Sequence, residues 1–275
     1  MDESLNSMID TGKRNVLGVL ISAIDYDGAL ARIIDAAKNG QPLSVTALAV
    51  HGVMTGVLDN THRHRLNRID IVTPDGQPVR WATNWLHKSG LSDRVYGPEL
   101  MIRLCERAAA ERLPIFLFGA DEEMLGKLQA RLVERFPQIE IAGARPSRFR
   151  TMTADERDEL VAEVNASGAK LMLVGLGCPR QEVFIYEMRD AVGIPMLAIG
   201  AAFAFHGDSL PQAPGWMQRR GLEWLFRLIQ EPRRLWKRYL LLNPMYASLL
   251  GLQFAGLKNP DPEQTDEPIG EVLYG

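Results

Sequence analysis

Cysteine is scarce in this chain: Cys105 and Cys178 are its only two in 275 residues. Each lies in an apolar context without a paired Cys or His at metal-ligand spacing, which excludes a disulfide framework and a cysteine-based zinc site. Two free thiols suit a reducing cytoplasm. Long apolar runs are also missing. The nearest candidate, residues 240–257, is interrupted by Asn243, Pro244, Ser248 and Gln253, and reads as interfacial or packed rather than membrane-spanning. Residues 1–15 are polar and carry no apolar core, so no signal peptide is expected. The formal net charge is only −3, which argues against nucleic acid as the partner of the whole chain. There is no HExxH, no GxSxG and no carboxylate-rich metal motif. A DxD pattern is suggested only by Asp25-Tyr26-Asp27, at a strand–helix junction where helix capping explains it. Nothing in the sequence demands a divalent metal.

What is present is an alternation of apolar runs and helical periodicity. VLGVLISAI (16–24), SVTALAV (44–50), IDIV (69–72), IFLFG (115–119), IEIAG (139–143), LMLVG (171–175) and MLAIG (196–200) read as strands. Helices are expected at Tyr26 to Asn39, ended by Gly40, and near 98–111, 121–136, 154–167 and 180–192. The pattern predicts an α/β fold, a parallel sheet with helices on both faces. In such sheets ligands bind at the carboxyl ends of the strands, here the loops after Val50, Val72, Gly119, Gly175 and Gly200. Beyond residue 206 strands disappear. Between Arg219 and Arg238 stand six arginines and one lysine against Glu223 and Glu231, a local charge of +5 in an acidic chain, interleaved with Trp216, Trp224, Phe226, Trp236 and Tyr239. Arginines among interfacial aromatics suit an anionic membrane surface or a diphosphate headgroup, and equally a solvated amphipathic helix packed on the core. The expected organisation is a flexible N-terminus (1–15), a nucleotide-binding catalytic domain (16–206), a basic helical appendage (207–257) and a disordered tail (258–275).

Several loops carry candidate chemistry, each with a plainer reading beside it. In VTPDGQPVRW (72–81), Asp75 follows an apolar strand and precedes Gly76. It is either a turn residue or a carboxylate aimed into the cleft to take a proton from an attacking hydroxyl. Thr46 reads as a β-branched strand residue or a site residue, and His51 as a helix-start residue or a site residue. In FLFGADEEML (116–125), Asp121 reads as an N-cap, with a nucleoside contact from the backbone near Gly119. VGLGCPRQE (174–182) resembles a phosphate loop without its lysine. Gly175 and Gly177 form a tight strand–helix turn, or expose N–H groups to a pyrophosphate while Gln181 and Glu182 hydrogen-bond a base or sugar.

Together TPDGQPVRWA (73–82), RVYGPEL (94–100), PIFLFGADEEMLGKL (114–128), VGLGCPRQE (174–182) and IGAAFAFHGDSLPQAPGWMQRRGLEWLFRLIQEPRRLWKRYL (199–240) resemble, in order and spacing, the WecG/TagA/CpsF glycosyltransferases of bacterial surface polysaccharides. The resemblance covers about residues 16–242. It implies a Rossmann-like domain of the GT-E type with a membrane-associating C-terminal appendage, peripheral on the inner face of the plasma membrane. It implies inverting, metal-independent transfer from a UDP-sugar (UDP-N-acetylmannosamine, its uronate or UDP-glucose) to a polyprenyl-diphosphate-linked saccharide, with no cofactor. Asp75 matches the family's catalytic aspartate and would be the general base. Thr46 would sit near the donor sugar. His51, Gly76, Gln77, Gly119, Gly175, Gly177, Gln181 and Glu182 would contact substrate, and Arg219, Arg220, Arg227 and Arg234 lie where a diphosphate is held. Many relatives carry an Asn close to the threonine, whereas this chain reads Thr46-Ala47-Leu48-Ala49, a departure that bears on the identity of the donor. Exposed Trp and Leu in the appendage also suit a homo-oligomer.

Other classes predict different behaviour. A Rossmann-type oxidoreductase needs a glycine fingerprint after the first strand, but the chain there reads Ser22-Ala23-Ile24-Asp25. A non-catalytic, membrane-associated nucleotide-sugar-binding protein would be indifferent to Asp75→Asn. A module whose basic helix docks an acidic protein would ignore anionic vesicles.

Overall fold

The computed structural model describes residues 8–207 and 210–275. The chain opens with a hairpin. Strand β1 (Asp10–Val16) pairs antiparallel with β2 (Val19–Ile24). The turn uses Leu17 (φ 57°) and Gly18 (φ 88°), and two left-handed residues match the twist of a two-residue hairpin. The strand expected over 16–24 is thus half of a hairpin. The segment expected as a flexible N-terminus contains most of β1, held by backbone pairing, while its residues 1–7 lie outside the described residues.

Helix α1 (Tyr26–Asn39) is capped by Asp25, whose carboxylate accepts from the Gly28 N–H, and ends at Gly40 in the left-handed conformation. The series continues with β3 (Ser44–Leu48), α2 (Val50–Leu58), α3 (Asn60–Arg68), β4 (Ile71–Pro74), α4 (Gln77–His87), α5 (Gly97–Glu111), β5 (Ile115–Gly119) and α6 (Glu122–Arg135). It then runs through β6 (Ile141–Arg145), α7 (Ala154–Ser167), β7 (Leu171–Gly175), α8 (Arg180–Val192), β8 (Met196–Ala198) and α9 (Gly200–His206). Strands β3 to β8 form one parallel sheet in the order β4-β3-β8-β7-β5-β6, flanked by helices in a Rossmann-like α/β arrangement.

The apolar runs are continuous because both faces of the sheet are covered. Alternation sends Ile115, Leu117, Leu171 and Leu173 into the layer beneath α1 and α5, and Phe116, Phe118, Met172 and Val174 into the opposite layer with Phe184 and Leu160. Each such side chain, fully buried, contributes roughly 1.5–3 kcal/mol.

Three helices complete the chain: α10 (Gly215–Arg219), α11 (Glu223–Gln230) and α12 (Pro232–Phe254). Helix α12 packs on α2 and α4, and its Tyr246 and Leu250 join the second core layer. The appendage therefore shares a core with the sheet domain. Among the described residues no helix is long and apolar enough to cross a membrane.

Residues 258–275, expected to be disordered, instead lie along the body. Asn15 Nδ2 donates to the Pro260 carbonyl (2.7 Å), Asn67 Nδ2 to that of Pro262 (2.8 Å) and Arg63 to that of Gln264 (2.5 Å). Glu187 accepts the N–H groups of Val272 and Leu273, and the Gly275 N–H bonds the Arg150 carbonyl. Hydropathy carries no trace of this, because the strap is held by polar groups of the body. Asn67 is its hub: it also accepts from the Leu20 N–H (2.9 Å) and donates to the Gly18 carbonyl (3.0 Å). Asn67→Ala is expected to destabilise the protein by about 1–3 kcal/mol for each buried group left unpaired. Urea denaturation measures this, and limited proteolysis should cut within 258–275 sooner than in the wild type.

Candidate active site

The carboxyl ends of β3 and β4 open onto a cavity of about 340 Å³ closed on its far side by α11 and α12. Its floor holds Asp75, Gly76 and Gln77, its walls His51, Trp81 and Trp85, and its roof Glu223, Trp224, Arg227 and Tyr239. Polar groups converging in an apolar, aromatic cleft are the usual make-up of a small-molecule site.

Asp75 follows β4 directly. Its N–H bonds the Leu48 carbonyl, which ties the β4 loop to β3. Its Oδ1 accepts from the Gly97 N–H at 2.7 Å, at the first residue of α5, so one oxygen is fixed by a helix N-terminus. A side chain at Gly97 would meet Ala47, Asp75 and Ile199 at 3.3–3.4 Å, so the close approach leaves little room there. Burial pushes the Asp75 carboxyl up to about 6. Arg94 and the Gly97 N–H pull it down, while the Glu223 carboxylate pushes it further up. A half-buried carboxylate at this value is basic enough to accept a proton and ionised at neutral pH.

Beside it lies an ion-paired frame that the sequence reading did not single out. Arg94, 6% exposed, donates Nη1 to the Asp75 carbonyl (3.1 Å) and Nη2 to Gln218 Oε1 (3.1 Å) and Glu223 Oε2 (2.8 Å). Its guanidinium stacks on the Tyr96 ring at 4.1 Å, and the Tyr96 hydroxyl donates to Glu223 Oε1 at 3.0 Å. Removing one partner of such a pair strands a buried charge at a cost of about 3–5 kcal/mol. Gly221 (φ 70°) lets the appendage approach, for a Cβ there would stand 3.0 Å from the Trp81 ring. Both halves of the frame sit in the quoted motifs RVYGPEL and GLEW. No local pattern marks them as partners, because they lie 129 residues apart.

Gln77, 5% exposed, donates Nε2 to Asp93 (2.8 Å), while its buried Oε1 has no hydrogen-bond partner among the described residues. Of the four arginines expected to hold a diphosphate, Arg227 lines the cavity, with its guanidinium 5.9 Å from the Phe205 ring. Arg219 and Arg220 are exposed, Arg220 lying over Trp216, and Arg234 is exposed and paired with Glu231.

The remaining expected residues form a second cluster at the ends of β3, β7 and β8. Thr46 is fully buried and donates to Glu182 Oε1 (2.9 Å), which also accepts from Gln181 Nε2 (2.9 Å). Gln181 Oε1 accepts from both the Gly177 and the Gly200 N–H groups, at 3.1 and 2.9 Å. In this arrangement the glycine loop is clasped by its own glutamine, and neither Thr46 nor Glu182 lines the cavity. Glu182, fully buried, is pushed up by desolvation against the opposing pull of Gln181 and Thr46. Gly119 (φ 105°) and Gly175 lie side by side. A Cβ on Gly119 would stand 2.7 Å from the Gly175 backbone, and one on Gly175 would stand 2.6 Å from Phe203. Close packing therefore accounts for both glycines.

Asp121 is the N-cap of α6, accepting from the Met124 N–H. Among the described residues no group of three or more His, Cys, Asp or Glu side chains is placed to hold a metal ion.

Because burial raises the Asp75 carboxyl, the folded state binds its proton more tightly than the unfolded chain does. Its ionisation costs stability as pH rises from the unfolded value towards about 6. Asp75→Asn is accordingly expected to melt higher than the wild type at pH 7.5, with the gain gone at pH 3.5. Thermal unfolding at the two pH values reads the difference.

The chain matches the model of the glycosyl transferase WecG/TagA/CpsF family over residues 14–260, nearly its whole length, and the sheet, the Asp75 loop and the docked appendage all fall within that match. This protein belongs to the WecG/TagA/CpsF family of glycosyltransferases of cell-surface polysaccharide synthesis.

Proposed function

We propose that this protein transfers a sugar with inversion from a UDP-sugar to a polyprenyl-diphosphate-linked saccharide, without a metal, at the inner face of the plasma membrane. The observation that carries the reading is Asp75: a carboxylate at the end of β4, raised in basicity by burial, facing a cavity also lined by Gln77, Arg94, Arg227 and the ion-paired Glu223. In the reaction Asp75 takes the proton of the acceptor hydroxyl as that oxygen attacks the anomeric carbon from the face opposite UDP. The bond to the diphosphate oxygen breaks, and the leaving charge is met by Arg227, the arginine of the appendage that lines the cavity. The orphan Gln77 Oε1 offers an acceptor for a sugar hydroxyl beside the base. The aromatic walls suit the apolar faces of a saccharide. Trp236, Leu240, Leu241, Phe254 and Leu257 are exposed on or just beyond α12, among the basic residues of the appendage, which suits an anionic bilayer.

The test is UDP release from a panel of UDP-sugars, with and without a polyprenyl-diphosphate-linked acceptor, in EDTA. Release is expected to depend on acceptor, survive the chelator and fall roughly 10²–10⁴-fold in Asp75→Asn with UDP binding retained. Undiminished turnover in Asp75→Asn sinks the base assignment. UDP binding without release from any donor and acceptor points to a binding protein instead.

The appendage arginines should separate in the same assay. Arg227→Ala is expected to lose roughly 10- to 100-fold in kcat/KM, the cost of one charge-assisted contact, and more than Arg219→Ala, Arg220→Ala or Arg234→Ala. Equal losses at all four positions would mean that the cavity arginine has no special part.

A further inference from the structure

The partly buried Glu223 carboxylate has no part in the reaction as written, yet the appendage brings it into an ion pair with Arg94, beside Asp75. Arg94 is the strongest cation near Asp75, and a guanidinium that already reaches the carbonyl of the same residue would ordinarily pair with its carboxylate. Instead its Nη1 is spent on the Asp75 carbonyl and its Nη2 on Gln218 and Glu223, while its plane is pinned against Tyr96, whose hydroxyl holds the other Glu223 oxygen. Two residues of the appendage and one ring of the sheet domain thus hold the guanidinium in place. We propose that Glu223 is a positioning residue: delivered by the docked appendage, it holds Arg94 off the Asp75 carboxylate and leaves that carboxylate free to accept a proton.

This rests on the reading of Asp75 as the base. The groups that face Asp75 are Tyr26 from α1, His51 from α2, Arg94 and Tyr96 from the segment before α5, and Glu223 and Arg227 from α11. Loss of the Glu223 charge acts on Asp75 in one direction by two routes. It removes the like charge nearby, and it releases Arg94 to turn towards the carboxylate; both lower the proton affinity of Asp75. A docked appendage therefore makes the base stronger, and an undocked one makes it weaker. Substrate binding and base strength become linked through the same helix, since Arg227 and Glu223 lie four residues apart on α11.

The experiment is a carbon-13 titration of the aspartate side-chain carboxyls, the Asp75 resonance being the one that disappears in Asp75→Asn. It is run on the full chain in wild type and Glu223→Gln, with pH profiles of kcat and kcat/KM beside it. The wild-type midpoint is expected near 6, as burial beside Glu223 sets it. In Glu223→Gln it should fall by about 1–3 pH units, the size of effect a newly paired arginine has. The acid limb of the rate profile should move down with it, and kcat at pH 7.5 should drop with the affinity for UDP unchanged. A midpoint that stays put in Glu223→Gln overturns the proposal, whatever happens to turnover. The double variant Gln218→Glu with Glu223→Gln returns a carboxylate to the same guanidinium and keeps that buried charge paired, so it serves if the single variant does not fold. Its midpoint should remain near the wild-type value, and a midpoint lowered by a unit or more also overturns the proposal. If Asp75→Asn keeps full turnover, the base assignment fails separately, and the titration still reports whether Glu223 governs the carboxylate.

Discussion

A carboxylate withdrawn from water is costly unless its surroundings are arranged for it, and the Asp75 site shows how much of the molecule that arrangement takes up. One oxygen is held by the first N–H of α5, the backbone on either side is tied to β3 and to Arg94, and the neighbouring cation is occupied elsewhere. Burial alone would favour the neutral acid, and a free arginine alone would make a poor base. The balance between them depends on a carboxylate contributed from α11. The appendage thus finishes the electrostatics of a loop that lies well over a hundred residues earlier in the chain.

The opposite half of the sheet edge is arranged differently. There Gly119 lies against the Gly175 backbone and Gly175 against the Phe203 ring, so neither has room for a Cβ, and the loop after β7 is closed by Gln181 onto Gly177 and Gly200. Thr46 and Glu182 brace that clasp from inside the core. A rigid edge of this kind places helix N-termini in fixed positions before any ligand arrives, which is where preorganised dipoles contribute most. The two clusters share β3, since Thr46 belongs to one and the Leu48 carbonyl, which binds the Asp75 N–H, belongs to the other.

The appendage divides its side chains in a related way. On α12, Tyr246 and Leu250 join the core and line the cavity with Tyr239, while Trp236, Leu240, Leu241 and Phe254 remain exposed; α11 adds Trp224 and Arg227 to the cavity. Helix α12, with apolar residues both inward and outward, has no clear amphipathic axis of its own. The basic stretch therefore left a helix packed on the core and a surface helix equally open when read as sequence.

Local pattern was enough for much of this protein. The apolar runs that had to be strands became strands because both faces of the sheet are buried. Asp25, Asp121 and the glycine after Asn39 acted as helix punctuation because capping needs only neighbouring residues. The position of Asp75 at a strand end was equally legible. Two terminal segments were misread, 10–15 as flexible and 258–275 as disordered, since their order comes from backbone pairing and from polar partners far along the chain. Only the tertiary structure decided that Thr46 and Glu182 lie behind the cavity, that Arg227 rather than Arg219, Arg220 or Arg234 lines it, and that Arg94 is bound to Glu223. The sequence by itself determined the strands, the caps and the place of Asp75 at a strand end, which depend on neighbours; the tertiary structure decided which charges surround that carboxylate, because those pairings depend on distances that only folding creates.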